Sequence, residues 1–225
     1  MKRLLLPISF LYSIVLFLRH KLYDWKILKS KSYDIPNICV GNLNLGGTGK
    51  TPHIEYLTNL LSENYKIAIL SRGYGRDTKG FILADESHTH HDIGDEPLQY
   101  FKKFKDIKVA VDENRCEGME RLLQEENPPQ VVLLDDAYQH RKIKPGLSIL
   151  LTDYYDLYSK NHLVPAGNLR DIKKAAQRAD IIVATKSPNV ITPYYRRDVE
   201  SSLKPLPHQK IFYSYIEYLD FKPFS

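Results

Sequence analysis

"CVGNLNLGGTGKTPHIEYL", Cys39 to Leu57, decides the fold. It opens on a short apolar run rich in β-formers, so Ile38 to Val40 reads as a strand. Glycines follow, and a helix is expected from about Lys50 through Leu61. A strand, a glycine loop and a helix in that order are the parts of a phosphate-binding loop. The strict pattern is G-x-x-x-x-G-K-[ST], and the fit here is "NLGGTGKT", with Asn44 in the first position. Gly46, Gly47 and Gly49, with Thr48 between the last two, let backbone amides turn toward phosphate oxygens. Lys50 would reach the outer phosphates and Thr51 would offer its hydroxyl to Mg²⁺. The helix points its first amides at the same anion, and Pro52 fits its first turn because no amide hydrogen bond is needed there.

Outward from this stretch, strands and helices alternate. "KIAIL" (66–70), "IKVAVD", "QVVLLDD", "LSILLTD" and "ADIIVATK" read as strands, with "GFILA" a short further one. Helices are expected in "IGDEPLQYFKKF", in "NRCEGMERLLQEENP" up to Pro128, and in "DIKKAAQRA", 171–179. Strands apolar throughout, separated by helices, imply an α/β fold of the phosphate-loop NTPase kind. Its mostly parallel sheet is covered by helices on both faces. Functional residues should then lie at the carboxyl ends of the strands. After Lys186 the pattern weakens, and "FYSYIEYLDFKPF" looks like one or two exposed strands. The expected division is an N-terminal segment at 1–31, a nucleotide-binding domain at 32–208 and the start of a β linker at 209–225.

Two cysteines, Cys39 and Cys116, make neither a disulfide framework nor a zinc set. The formal charge of +5 permits nucleic acid, an anionic membrane or a phosphorylated substrate. The N-terminus is more informative. "LLLPISFLYSIVLFL", Leu4 to Leu18, holds 15 uncharged residues between Lys2 and Arg3 on one side and Arg19, His20 and Lys21 on the other. A bilayer span needs roughly 20 residues, and no small-residue cleavage site follows, as a signal peptide would require. An amphipathic helix lying on an anionic leaflet is the favoured reading. A helix covering the core, and a true span or signal, are the alternatives.

A phosphate loop needs a metal-holding acid on a neighbouring strand, and "VVLLDDAYQH" places Asp135 and Asp136 at a strand end. Paired carboxylates there are costly unless a cation neutralises them. Asp135 is favoured for the metal, and His140 is placed to orient one acid or to sit satisfied in the core. "GDEP" offers Asp95 and Glu96 at a helix start; Asp95 is a candidate base, or a cap. Arg72 and Arg76 in "SRGYGR", Arg115 in "NR", and Asn168 and Arg170 in "LVPAGNLRD" are candidates for an anionic acceptor. "HTHHD", from His88, reads as a polar loop rather than a metal cluster. "ATKSP" weakly resembles a base-reading loop but lacks the carboxylate that selects guanine, so ATP is preferred.

Taken in series, "VGNLNLGGTGKTP", "SRGYGR", "GDEP", "DDAYQH" and "LVPAGNLRD" resemble the tetraacyldisaccharide 4'-kinase family of lipid A biosynthesis. The resemblance implies ATP- and Mg²⁺-dependent phosphorylation of the 4'-hydroxyl of tetraacyldisaccharide 1-phosphate. The implied setting is peripheral, on the cytoplasmic face of the bacterial inner membrane. The implied partners are the lipid A disaccharide precursor and that anionic membrane surface, with no nucleic acid and no obligate protein partner. It makes Asp95 the general base, with Lys50, Asp136 and His140 beside it in catalysis, and gives Glu96, Asn168 and Arg170 to the acceptor. "DDAYQH" stands for the family's "DDGFQH", and "GNLRD" for "GxLRE", where the shorter Asp171 would reach less far. The family runs on as a second lobe with an "FxDHH"-like segment that this chain lacks. A membrane-attached nucleotide switch or motor without lipid kinase activity is the rival reading.

Overall fold

The structure, a computed structural model, describes residues 2–217, with side chains from Leu4 onward. One sheet contains β1 (Asn37–Asn42), β2 (Ile67–Ser71), β3 (Ile82–Leu83), β4 (Lys108–Val111), β5 (Val131–Asp135), β6 (Leu147–Asp153), β7 (Ile181–Thr185) and β8 (Lys210–Tyr213). Their order is β3-β4-β2-β5-β1-β6-β7-β8. Every pairing among them is parallel except that of β3 with β4.

The apolar strands are explained by burial on both faces. In β5, Val132 and Leu134 pack with Met119 and Leu122 of α5 (Arg115–Leu123). Val131 and Leu133 point the other way, onto Ile54 of α2 (Lys50–Ser62) and Tyr100 of α4 (Asp95–Lys103). A final helix, α6 (Pro193–Leu203), buries Val199 and Leu203 on the α5 side of the sheet. Its apolar periodicity is too thin for the sequence to reveal it.

Other elements depart from expectation. The 171–179 stretch is a 3₁₀ segment, Lys173–Arg178, not an α-helix. The Tyr138 hydroxyl donates to the Ala175 carbonyl, and Gln209 Nε2 donates to those of Ala176 and Ala179. The Ala175 carbonyl, which an α-helix would pair with the Ala179 amide, is thus taken by Tyr138, and Ala179 N bonds Ala176 O instead. α5 stops at Leu123, well before Pro128, its C-cap Gln124 donating to the carbonyls of Glu120 and Arg121 before the chain bends toward the two prolines. "HTHHD" ends in a single helical turn, α3 (His90–Ile93), closed by reciprocal hydrogen bonds between Thr89 and Asp92. β8 belongs to the same sheet, which therefore continues past residue 208. Of the expected tail strands, residues 218–225 lie outside the described residues.

The N-terminus forms α1 (Leu6–Asp24) after a 3₁₀ turn. Ser9, Leu16, His20 and Tyr23 are buried against the domain. On the far side Phe10 is 65% exposed, Leu11 64% and Val15 61%. Among the described residues no helix is long and apolar enough to cross a membrane.

Candidate functional site

The carboxyl ends of β1, β2 and β5 open onto a cleft of about 690 Å³. Its floor is the glycine loop. Gly46, Gly47 and Gly49 have φ of 80°, 69° and 80°, a region that side chains make costly. No atom crowds the missing Cβ of Gly46 or Gly47, so the requirement is backbone conformation and not space. Asn44 is not among the positive-φ residues, which explains why this position dispenses with glycine. Its backbone bridges Leu169, and Leu45 N donates to Asn168 O at 2.7 Å, tying the loop to the "GNLRD" segment. Thr48 is buried and its hydroxyl accepts from Asn42 Nδ2 at 2.6 Å.

Register places the paired acids. β1 and β5 align Val40 with Asp135, and Asp136 N donates to Val40 O at 3.0 Å. The chain then turns sharply at Asp136, φ 49°, so the two carboxylates diverge. Asp136 takes a two-pronged ion pair from Arg170, Nη1 donating at 2.9 Å, with Lys50 Nζ at 3.8 Å. Burial pushes its carboxyl up, but Arg170, Lys50 and Arg115 outweigh this and hold it below the usual range. Asp135 is buried, and among the described residues its carboxylate is hydrogen-bonded by hydroxyls, Ser71 at 3.3 Å and Tyr100 at 3.4 Å. Burial, then the charge of Asp136, push it up to about 6 against the pull of Lys50. Thr51 lines the same cleft as Asp135 and Ser71. Thr51, Ser71 and Asp135 thus bring oxygens to one wall of the cleft, with the buried Tyr100 hydroxyl bonded to Asp135 from behind, and such oxygen donors suit a hard divalent cation such as Mg²⁺. Among the described residues no three His, Cys, Asp or Glu side chains converge, and a cation that also holds phosphates needs fewer.

The structure brings Gly46, Lys50, Thr51, Arg72, Glu96 and Arg115 to this cleft together with Asp135, Asp136, His140 and Arg170. Asp95 is exposed on the first turn of α4, beside Glu96 but outside the lining. That turn is fixed by crowded glycines: a Cβ on Gly94 would meet Tyr74 O at 2.9 Å, and one on Gly73 would meet Ile93 O at 2.9 Å. Arg76 is placed elsewhere, its guanidinium held by Glu113 at 2.5 Å and by Gly80 O at 2.7 Å. Asn168 is exposed and contributes through its backbone. Arg170 serves Asp136 in this structure and is not free for an acceptor. Arg115 is buried, donating to the carbonyls of Asp112 and Asp135 and so joining two strand ends. Asp171 is turned away from the cleft toward His20 of α1. Sequence reasoning missed Asn42, whose carbonyl accepts from Gln139 at 2.6 Å and whose Oδ1 accepts from Arg170 at 2.5 Å. The signal available was a polar residue ending an apolar strand just before the loop.

His140 touches neither acid through a hydrogen bond, and among the described residues its buried Nε2 has no partner. Burial, then Arg115, Lys142, Arg19 and Arg72, push its imidazole down from 6.5 to about 4. It stays neutral in the folded state while the unfolded chain protonates. Stability is therefore full above about 6.5 and falls as pH drops toward 4. Discounted for partial solvent access, the loss is on the order of 1 kcal/mol. His140→Gln should flatten the urea-midpoint profile between those pH values, and an unaltered profile would refute this.

A parallel sheet with a glycine loop after its central strand and paired acids ending the adjacent one defines a phosphate-loop nucleotide-binding fold. The chain belongs to the tetraacyldisaccharide-1-P 4'-kinase family, whose profile matches residues 1–212. It is 50% identical over 218 residues to the tetraacyldisaccharide 4'-kinase of Flavobacterium johnsoniae, covering 97% of this chain and 64% of that protein. It is 49% identical over 220 residues to that of Bacteroides thetaiotaomicron, covering 97% and 58%. The chain thus spans roughly three fifths of the curated relatives it matches. A crystal structure of LpxK from Aquifex aeolicus in complex with ATP superposes with a TM-score of 0.76 at 32% identity, covering 99% of this chain and 85% of that one.

Proposed function

We propose that the chain supplies the nucleotide-binding part of an ATP-dependent kinase that phosphorylates the 4'-hydroxyl of tetraacyldisaccharide 1-phosphate. The observation that carries this is the meeting of Lys50, Arg170 and Asp136 over the glycine loop, in a cleft that Thr51 and Asp135 also line. The loop amides and Lys50 hold the phosphates and spread their charge. Thr51 and Asp135 would hold Mg²⁺, which when bound neutralises charge developing between the outer phosphates. Asp136, fixed by Arg170, keeps Lys50 aimed into the cleft. Asp95 takes the proton of the acceptor hydroxyl, and Glu96 and Arg72 line the approach. The test is transfer of labelled γ-phosphate to the lipid disaccharide by a version extended to the length of its relatives. ATP hydrolysis without transfer would favour the rival reading, a nucleotide switch.

The site would work at a membrane face. α1 presents Phe10, Leu11 and Val15 outward, away from its docked side, a face suited to the acyl boundary of an anionic leaflet. Leu11→Glu with Val15→Glu should cut co-sedimentation with anionic vesicles by about tenfold or more, since each charge opposes burial of apolar area. The melting temperature should hold, because neither side chain packs on the domain. Wild-type vesicle binding by the double variant would sink the idea.

A further inference from the structure

We propose that His20 and Asp171 are positioning residues through which α1 holds the nucleotide site in shape, an inference that rests on the nucleotide-binding reading above. The pair is buried, His20 6% and Asp171 1% exposed, and lies on the domain side of α1. His20 Nε2 meets Asp171 Oδ1 at 2.6 Å. The guanidiniums of Arg178 and Arg141 reach His20 Nδ1 at 3.0 and 3.2 Å. Nδ1 therefore accepts, and the ring proton sits on Nε2, pointing at the carboxylate. Asp171 Oδ1 also takes the N–H of Ile172 at 2.8 Å, while Oδ2, 3.8 Å from the Arg178 guanidinium, has no hydrogen-bond partner among the described residues. A helix that merely covered a core would not need a buried carboxylate at its seat. Such a pair costs desolvation and gives register in return.

The residue next to Asp171 is the one that grips the site. Arg170 clamps Asp136 and donates to Asn42 Oδ1 at 2.5 Å, and Asn42 Nδ2 holds Thr48 of the glycine loop at 2.6 Å. Two further contacts run from α1 to the same segment. The Tyr12 hydroxyl donates to Arg170 O at 3.3 Å, and the Ser9 hydroxyl donates to Leu163 O at 2.9 Å. A third contact converges on the same Asn42: Arg19 donates to Gln139 O at 3.1 Å, and Gln139 donates to Asn42 O. A chain of direct contacts thus joins the helix that bears the outward apolar face to the loop that would take phosphate. Two elements held by one set of hydrogen bonds share their fluctuations, and loosening one raises the opening of the other.

The experiment compares the intact chain with His20→Leu and His20→Gln, the glutamine being able to donate to Asp171 and accept from an arginine. Amide exchange is read without nucleotide at Leu45 and Arg170, whose N–H groups bond Asn168 O and Leu43 O. His20→Leu should speed both about tenfold while Leu133 in the core stays protected, and should weaken ATP–Mg²⁺ binding about tenfold by calorimetry. His20→Gln should stay within about threefold of the wild type on both. If His20→Leu does not fold, Asp171→Asn, of nearly equal shape, is read in its place and must speed both amides at least threefold. Wild-type exchange at Leu45 and Arg170 in a folded variant overturns the proposal. A wild-type chain that fails to bind ATP would instead overturn the nucleotide reading, with the exchange rates still deciding this one.

Discussion

Lys50→Ala should weaken ATP–Mg²⁺ binding by roughly a hundredfold, about 3 kcal/mol, because it removes the charge-assisted contact to the outer phosphates. The fold should persist. Lys50 is the first residue of α2, and alanine is favourable in a helix. Asp136 would not be stranded either, since Arg170 keeps its two-pronged hold on it. The measurement is calorimetry with ATP–Mg²⁺ alongside thermal melting. An affinity within a few-fold of the wild type in a folded variant would remove Lys50 from the site.

The second large effect belongs to Asp95, and it should appear in rate and not in binding. In a version of the length of the relatives, Asp95→Ala should leave ATP affinity within about twofold and lower turnover by about 10²–10⁴-fold, the range of a general base. Two placements support the split. Asp95 stands on the exposed first turn of α4 and touches none of the loop residues that would hold ATP, while its neighbour Glu96 faces the cleft. Glu96→Gln is the control: it should change acceptor KM more than turnover. A version of 225 residues, about three fifths of the relatives' length, should transfer phosphate more slowly than the longer one if the added length helps hold the acceptor in line. Comparable rates from the two lengths, or full turnover by Asp95→Ala, would contradict this assignment.

The architecture was legible wherever local chemistry and long-range packing agreed. β5 is four apolar residues closed by two acids, and a doubly covered parallel strand admits little else. The glycine loop needed no tertiary information, since three positive-φ positions, a lysine and a helix start are local properties. Elements that depend on distant partners were not legible. The 3₁₀ segment at Lys173–Arg178 looks helical by composition, and it is the distant Tyr138 hydroxyl that takes the Ala175 carbonyl. α6 escaped notice because it is held by two buried residues.

Among the candidate site residues the same division holds. The sequence by itself determined that a phosphate loop, a pair of strand-end acids and an acid at the start of α4 exist, because spacing alone sets them. It also determined that the N-terminal run is apolar and flanked by basic charge. Only the tertiary structure decided how the arginines are used. Arg76 is a loop staple on Glu113, Arg115 joins two strand ends, and Arg170 clamps Asp136. It also decided that Asp135 sits among hydroxyls while Asp136 sits among cations, and that Asp171 faces α1. A guanidinium is long and flexible and pairs with whichever carboxylate or carbonyl the fold brings near. Its partner is therefore a property of strand register and loop packing, which no local run of residues records.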